Sequence, residues 1–260
     1  MSSDAAHRLA AAGVDNPRLD ARLLLAHAKD DPVLFESFIT RRAAREPLAY
    51  IIGHKEFWSL DFEVGPGVLI PRPETETVIE RVLGEFPDRT APLRVLDLGT
   101  GSGCLLIALL NEYPKADGLG LEKSEETRRF ALRNVARHGI AERCEIREGG
   151  WPGIPGGPYD VILSNPPYIR SREIFGLPPE ICRFEPLLAL DGGEDGLAAY
   201  RALAPEVARL LRPGGYAFLE IGAGQGQAVS ALFAAAGMKP MALTPDLAGI
   251  PRVLAAKATE

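Results

Sequence analysis

Ser164-Asn165-Pro166-Pro167-Tyr168 is the segment whose residue types point most directly to chemistry. An amide or exocyclic amine nitrogen is a poor nucleophile, because its lone pair is delocalised into a planar group. A protein that makes it react must aim it and stabilise the charge that develops. Two acceptors can hold its two N–H bonds, and Asn165 offers a side-chain oxygen while Pro166 offers a carbonyl. Paired prolines, Pro166 and Pro167, fix φ and remove donors, so the loop presents its carbonyls rigidly. Tyr168 adds a flat ring that can stack on a planar substrate. A plain Pro-Pro turn accounts for the prolines but not for the Asn and Tyr flanking them. Asn165, Pro166 and Tyr168 are therefore the candidate catalytic residues, and Asn165 through Tyr168 the candidate substrate contacts. The four histidines are scattered and Cys104, Cys144 and Cys182 lack close metal-ligand spacing, so no metal site is expected.

A second motif, Leu96-Asp97-Leu98-Gly99-Thr100-Gly101-Ser102-Gly103, lies between a strand pattern and a helix pattern. Glycines there let the backbone approach a ligand where a Cβ would collide, and a helix starting at Ser102 would offer unpaired amides. Nucleotide-binding folds share such turns, but dinucleotide enzymes want G-x-G-x-x-G, whereas Gly99, Gly101 and Gly103 alternate. Glu122 closes the next strand about 20 residues on, where a carboxylate can accept bonds from two ribose hydroxyls. Trp151 follows the third strand and could cover an adenine face. The combination resembles the nucleoside–methionine site of class I methyltransferases, and its acid-lined loop suits a positive sulfonium better than a pyrophosphate. The expected cofactor is S-adenosylmethionine, held by Gly99, Thr100, Gly101, Ser102, Gly103, Glu122, Trp151 and Asn165.

These residues need a frame. From Leu93 onward strands and helices alternate: strand Arg94–Leu98, helix Ser102–Tyr113, strand Ala116–Leu121, helix Ser124–His138 capped by Ser124, strands at Cys144–Ile146 and Tyr159–Leu163, helix Gly196–Leu211, strand Gly215–Ile221, helix Gln225–Ala236, and two strands near Pro240 and Val253. This reads as an α/β, doubly wound sheet with helices on both faces. Before it, Leu19, Leu23, Leu24 and His27 recur at helical spacing, with Pro17, Pro32 and Pro47 as punctuation. Tyr50–Val64 partly alternates, as a β-hairpin would. Pro73 and the acids after it suit a helix start, running to Phe86. The expected organisation is residues 1–48 helical and substrate-recognising, 49–71 a β-hairpin linker, and 72–260 catalytic.

The 260 residues are 46% hydrophobic and 25% charged, an ordinary globular composition. No apolar run suggests a membrane span, and Met1 to Ala12 has no apolar signal-peptide core. Three cysteines suggest a reduced, cytoplasmic protein. Net charge −6 lowers the case for an enzyme gripping bulk duplex, so no stable nucleic-acid binding is expected.

With both motifs placed, the chain resembles the PrmC/HemK family of release-factor glutamine methyltransferases. The likeness includes Asp20-Ala21-Arg22-Leu23-Leu24-Leu25, Glu56-Phe57-Trp58-Ser59-Leu60, Leu69-Ile70-Pro71-Arg72-Pro73-Glu74-Thr75-Glu76, Arg183-Phe184-Glu185-Pro186-Leu187-Leu188-Ala189-Leu190 and Asp191-Gly192-Gly193-Glu194-Asp195-Gly196-Leu197. The Asn-Pro-Pro-Tyr motif alone is shared with DNA adenine methyltransferases. The resemblance implies a five-helix N-terminal domain, a hairpin linker and a seven-stranded class I S-adenosylmethionine-dependent methyltransferase domain. It implies methylation of the Gly-Gly-Gln glutamine of class 1 peptide chain release factors, the expected protein partners. Glu122 stands where the family often has Asp, and Gly150 where it often has an acid, with Glu148 the candidate substitute. Residues 170–180 carry few recognisable anchors and are expected to be mobile. The alternatives are a glutamine methyltransferase acting on a ribosomal protein, a DNA adenine methyltransferase, and a silent cofactor-binding module.

Overall fold

A computed structural model describes residues 2–151, 153–154 and 156–259. The chain opens with α1 (Ser2–Ala11), α2 (Pro17–His27), α3 (Pro32–Ala43) and α4 (Leu48–Ile52). Pro17 and Pro32 each occupy the first helical turn, where a missing N–H costs nothing. Asp31 caps α3 by accepting from the amides of Val33 and Leu34. Four helices, not five, precede the hairpin among the described residues, and α4 occupies the start of the expected linker. The buried face of α2 also differs from the expected one. Leu19 and Leu23 are exposed, while Ala21 and Leu24 pack against Leu9, Phe35 and Ile39. Asp20 turns inward on the same face because Arg42 meets it at 2.8 Å.

The hairpin is β1 (His54–Phe57) and β2 (Leu60–Glu63). Its two-residue turn, Trp58-Ser59, has positive φ at both positions, the mirror-image turn that matches strand twist. Glu76 accepts from the Trp58 amide and Glu112 from its indole, each at 2.8 Å, which offsets the unusual backbone. Phe57 and Phe62 are buried in the main core, so the hairpin belongs physically to the larger body. A single turn of 3-10 helix, Pro73–Thr75, leads into α5 (Glu76–Glu85).

The sheet then alternates β3 (Arg94–Leu98), α6 (Cys104–Glu112), β4 (Asp117–Glu122), α7 (Glu125–Arg137), β5 (Cys144–Glu148) and β6 (Tyr159–Ser164). An excursion follows, with a 3-10 stretch Ser171–Gly176, α8 (Pro179–Cys182) and α9 (Leu187–Leu190). It closes where the Ile169 amide donates to Leu190 and the Gly192 amide to Ile169. Next come α10 (Ala198–Leu210), β7 (Leu211–Glu220), α11 (Gly226–Ala235), β8 (Met238–Pro240), the two-residue β9 (Thr244–Pro245) and β10 (Pro251–Ala258). Seven strands run in the order β5-β4-β3-β6-β7-β10-β8, with β9 paired to the side of β10. Strands β3 to β7 are parallel, and β10 is antiparallel to β7.

Alternation along each strand divides the apolar side chains between two layers. Val95, Val161 and Phe218 pack under α5, α6 and α7, while Leu96, Ile162, Ala217 and Leu219 pack under α10 and α11. The register decides the site. Leu98 lies beside Leu121, Asp97 beside Leu163, and Ser164 beside Leu219. One step further along each strand therefore brings Gly99, Glu122, Asn165 and Glu220 to a common line at the carboxyl edge. This is also where the strand order turns back, the position at which open α/β sheets bind ligands.

Candidate active site

The glycine loop is anchored from the neighbouring strand. The amides of Gly99 and Thr100 both donate to the Leu121 carbonyl at 3.0 Å. Gly99 and Gly101 have φ of 75° and 60°, which only glycine adopts without strain. Among the described residues, a Cβ at Gly101 would meet no atom within 4 Å, so its face is open there, and at Gly99 the one neighbour would be the Trp151 ring, 3.9 Å away. Gly103 serves packing instead: a Cβ there would lie 2.9 Å from Ile107. It is the left-handed cap of α6, so the helix begins at Cys104 rather than at the expected Ser102.

Three polar side chains around this loop have a defined chemistry. Asp97 is fully buried and accepts from the Thr100 hydroxyl at 2.6 Å, while its Oδ1 has no partner. Burial pushes its carboxyl up to about 7, opposed by the Thr100 hydroxyl and reinforced by the charge of Glu122. The Ser102 hydroxyl is also buried without a partner. Glu122 is held tightly: its carboxylate accepts from the Gly101 amide at 3.1 Å and from the Ser124 amide at 2.9 Å. Each oxygen keeps a further lone pair. Open faces at Gly99 and Gly101, two unpaired buried oxygens and two carboxylates suit a cationic ligand with hydroxyl and amine donors. Trp151 is half-buried against the loop. Glu148, the candidate to replace a carboxylate at Gly150, is exposed at the end of β5.

Next to this crevice, Pro166 is buried and Asn165, Pro167 and Tyr168 are half-buried. Asn165 Nδ2 donates to Thr75 Oγ1 at 3.2 Å. The Thr75 hydroxyl donates to Glu220 Oε2 at 2.5 Å, and the Tyr168 hydroxyl to Glu220 Oε1 at 3.1 Å. Tyr168 is braced at its other end by Gln225, whose Nε2 donates to the Tyr168 carbonyl at 2.9 Å. Burial raises both the Tyr168 hydroxyl and the Glu220 carboxyl above their ordinary values. The Thr75 and Tyr168 hydroxyls work against that rise at Glu220.

Neither Thr75 nor Glu220 is among the sequence candidates. Thr75 stands in the quoted Arg72–Glu76 segment, and Glu220 ends a parallel strand as Glu122 does, which was the available signal. Residues 170–180, which show few anchors in sequence, form the 3-10 stretch and the start of α8 and are tied to the rest of the chain. Ile174 is buried, and Glu180 pairs with Arg42 at 2.8 Å and Arg45 at 2.6 Å. Glu185 meets Arg72, joining the Arg183–Leu190 segment to the residue that precedes the 3-10 turn bearing Thr75. Among the described residues no cluster of His, Cys, Asp or Glu could hold a metal ion.

Residues 90–220 match the family described as a methyltransferase domain, and residues 2–32 the one described as a PrmC N-terminal domain. A release factor glutamine methyltransferase from Caulobacter vibrioides is 44% identical over 265 residues, covering 95% of this chain and 91% of its own. One from Cereibacter sphaeroides is 45% identical over 267 residues, covering 96% and 94%. A solved methyltransferase from Pyrococcus furiosus has the same fold, with a TM-score of 0.58 at 19% identity over 86% of this chain and 98% of that one.

Proposed function

The chain belongs to the release factor glutamine methyltransferase family, and from that premise we propose that it methylates the Gly-Gly-Gln glutamine side chain of class 1 peptide chain release factors. The observation that carries the residue-level reading is the hydrogen bond from Asn165 Nδ2 to Thr75. With the NH₂ group engaged there, Oδ1 is the end of the Asn165 amide left to accept from a substrate. S-adenosylmethionine, when bound, supplies an electrophilic methyl group. Asp97, Glu122 and the glycine loop offer it acceptors and space, and Trp151 a flat cover.

Asn165 Oδ1 and the Pro166 carbonyl accept the two N–H bonds of the target amide and fix its plane. As positive charge grows on the nitrogen, both acceptors gain in strength, so their help is largest in the transition state. The Tyr168 ring confines the amide from one side, and its hydroxyl bond to Glu220 stops the ring from turning away. The helices α1–α4 carry none of these groups, and their role is protein-substrate recognition. A substrate from the translation machinery supports a cytoplasmic location. No helix among the described residues is long and apolar enough to cross a membrane.

The test is mass spectrometry after incubation with S-adenosylmethionine and, separately, a release factor, a ribosomal protein and adenine-containing DNA. One added methyl group on the Gly-Gly-Gln glutamine is the expected product. Methylation of only the ribosomal protein or the DNA would overturn the substrate assignment.

A further inference from the structure

Glu220 is fully buried at the end of β7, and its carboxylate has two donors, the hydroxyls of Thr75 and Tyr168. The Thr75 and Tyr168 hydroxyls favour its ionised form against the rise that burial causes, and as a carboxylate it can only accept. The Thr75 hydroxyl therefore spends its single hydrogen on Glu220, and toward Asn165 it has only lone pairs to offer. An amide presented to a lone pair must turn its NH₂ group that way, as Asn165 does at 3.2 Å. The oxygen is thereby left for the substrate. An Asn side chain by itself has no preference between its two ends, and the reversed amide would point two donors at a substrate group that is itself a donor.

We propose that Glu220 and Thr75 are positioning residues that set which end of the Asn165 amide faces the reacting nitrogen. This rests on the proposed role of Asn165 as an acceptor for the target amide. Glu220 lies one register step from the end of the β6–β7 ladder, beside Asn165, and Thr75 arrives from the first turn before α5. The Tyr200 hydroxyl also donates to the Glu220 backbone carbonyl at 2.9 Å, fixing the strand end that bears the carboxylate. One buried acid thus orders both flanks of the Asn-Pro-Pro-Tyr loop: the amide through Thr75, and the Tyr168 ring directly.

The experiment is a mutant cycle on the full chain, reading single-turnover methyl transfer to a release factor, KM for that substrate and calorimetric S-adenosylmethionine affinity. Thr75→Val keeps shape and removes the hydroxyl. It should lower the transfer rate about 10- to 100-fold, the scale of a misplaced reacting group, with cofactor affinity and KM nearly unchanged. Thr75→Ser should restore most of the rate. In an Asn165→Ala background Thr75→Val should cost almost nothing more, because its effect passes through Asn165. Full rate in Thr75→Val, or an undiminished loss in the Asn165→Ala background, overturns the proposal. If Thr75→Val does not fold, Thr75→Ala gives the same reading: a slowed transfer that Asn165→Ala makes silent supports the proposal, and an unchanged rate overturns it. Normal transfer by Asn165→Ala alone would instead remove the acceptor role on which the proposal rests.

Discussion

The Glu122 carboxylate and the Gly101 amide are joined by a 3.1 Å hydrogen bond, and the same carboxylate holds the Ser124 amide at 2.9 Å. One acid thus ties the glycine loop after β3 to the start of α7, so its removal should loosen the cofactor crevice as well as delete a ligand contact. Glu122→Ala is expected to weaken S-adenosylmethionine binding by about 1–3 kcal/mol, the range for losing charge-assisted bonds. Gly101→Ala probes the same crevice from the backbone side. No protein atom would touch the added Cβ, so stability should drop by only about 1–2 kcal/mol for the positive φ, while binding is abolished. Calorimetry and thermal melts read both. Unchanged affinity in both variants would contradict the assigned crevice.

Asp97 gives a pH signature. Its folded carboxyl is raised to about 7 by burial, against 3.8 ordinarily. A group raised in the folded state contributes stability at low pH and loses it as pH rises through the folded value. The ligand-free chain should therefore lose this contribution between pH of roughly 4 and 7. A cationic ligand favours the ionised form, so affinity should rise about tenfold between pH 6 and 8. Asp97→Asn should flatten that profile, weaken binding and remove the loss of stability on raising pH. Calorimetric titrations across this range check it. A wild-type affinity that is flat with pH would contradict the role.

Much of this site is legible in the sequence, and the residues show why. Arg94–Leu98 reads as a buried strand because Val95, Leu96 and Leu98 are apolar in a short run that ends at the glycine loop, and Ser124 caps α7 through the Thr127 amide as its type suggests. Glu122 is found by register, counted from the glycine loop along one βαβ unit. Thr75 and Glu220 are not found, because they are 145 residues apart and meet only after strand order places β7 beside β6. Leu19 and Leu23 mislead for a related reason. Three successive leucines, Leu23 to Leu25, cannot all lie on one helix face, and the ion pair of Asp20 with Arg42 selects which face turns inward. The order in residues 170–180 is likewise invisible to local pattern, since Glu180 finds Arg42 and Arg45 more than 130 positions away.

Glu180 carries the link between the N-terminal helices and the excursion after the Asn-Pro-Pro-Tyr loop. Burial alone would raise its carboxyl, but hydrogen bonds from Arg45 and Arg42 hold it at about 2. Its contribution to stability is present above the ordinary value of 4.5 and is lost as pH falls toward 2. Glu180→Ala should cost about 1–3 kcal/mol of stability by taking the carboxylate partner from Arg45 and from Arg42. It should also raise KM for the release factor, with cofactor affinity unchanged. Melts from pH 7 downward and steady-state kinetics check both effects. An unaltered KM would separate this ion pair from substrate recognition.

Asn165 tests the account most directly. If its Oδ1 accepts from the target amide, Asn165→Ala should slow single-turnover methyl transfer to a release factor by about a hundred-fold or more, the cost of one lost transition-state contact. S-adenosylmethionine affinity should fall far less, because Glu122, Asp97 and the glycine loop remain. Asn165→Asp keeps an acceptor but places a charged oxygen against Thr75 where the NH₂ group stood. It should bind the cofactor and transfer slowly. Transfer and binding measured side by side separate orientation from cofactor capture. A slow transfer with near-normal binding is the expected result, whereas near-normal transfer by Asn165→Ala would show that this loop does not position the nucleophile.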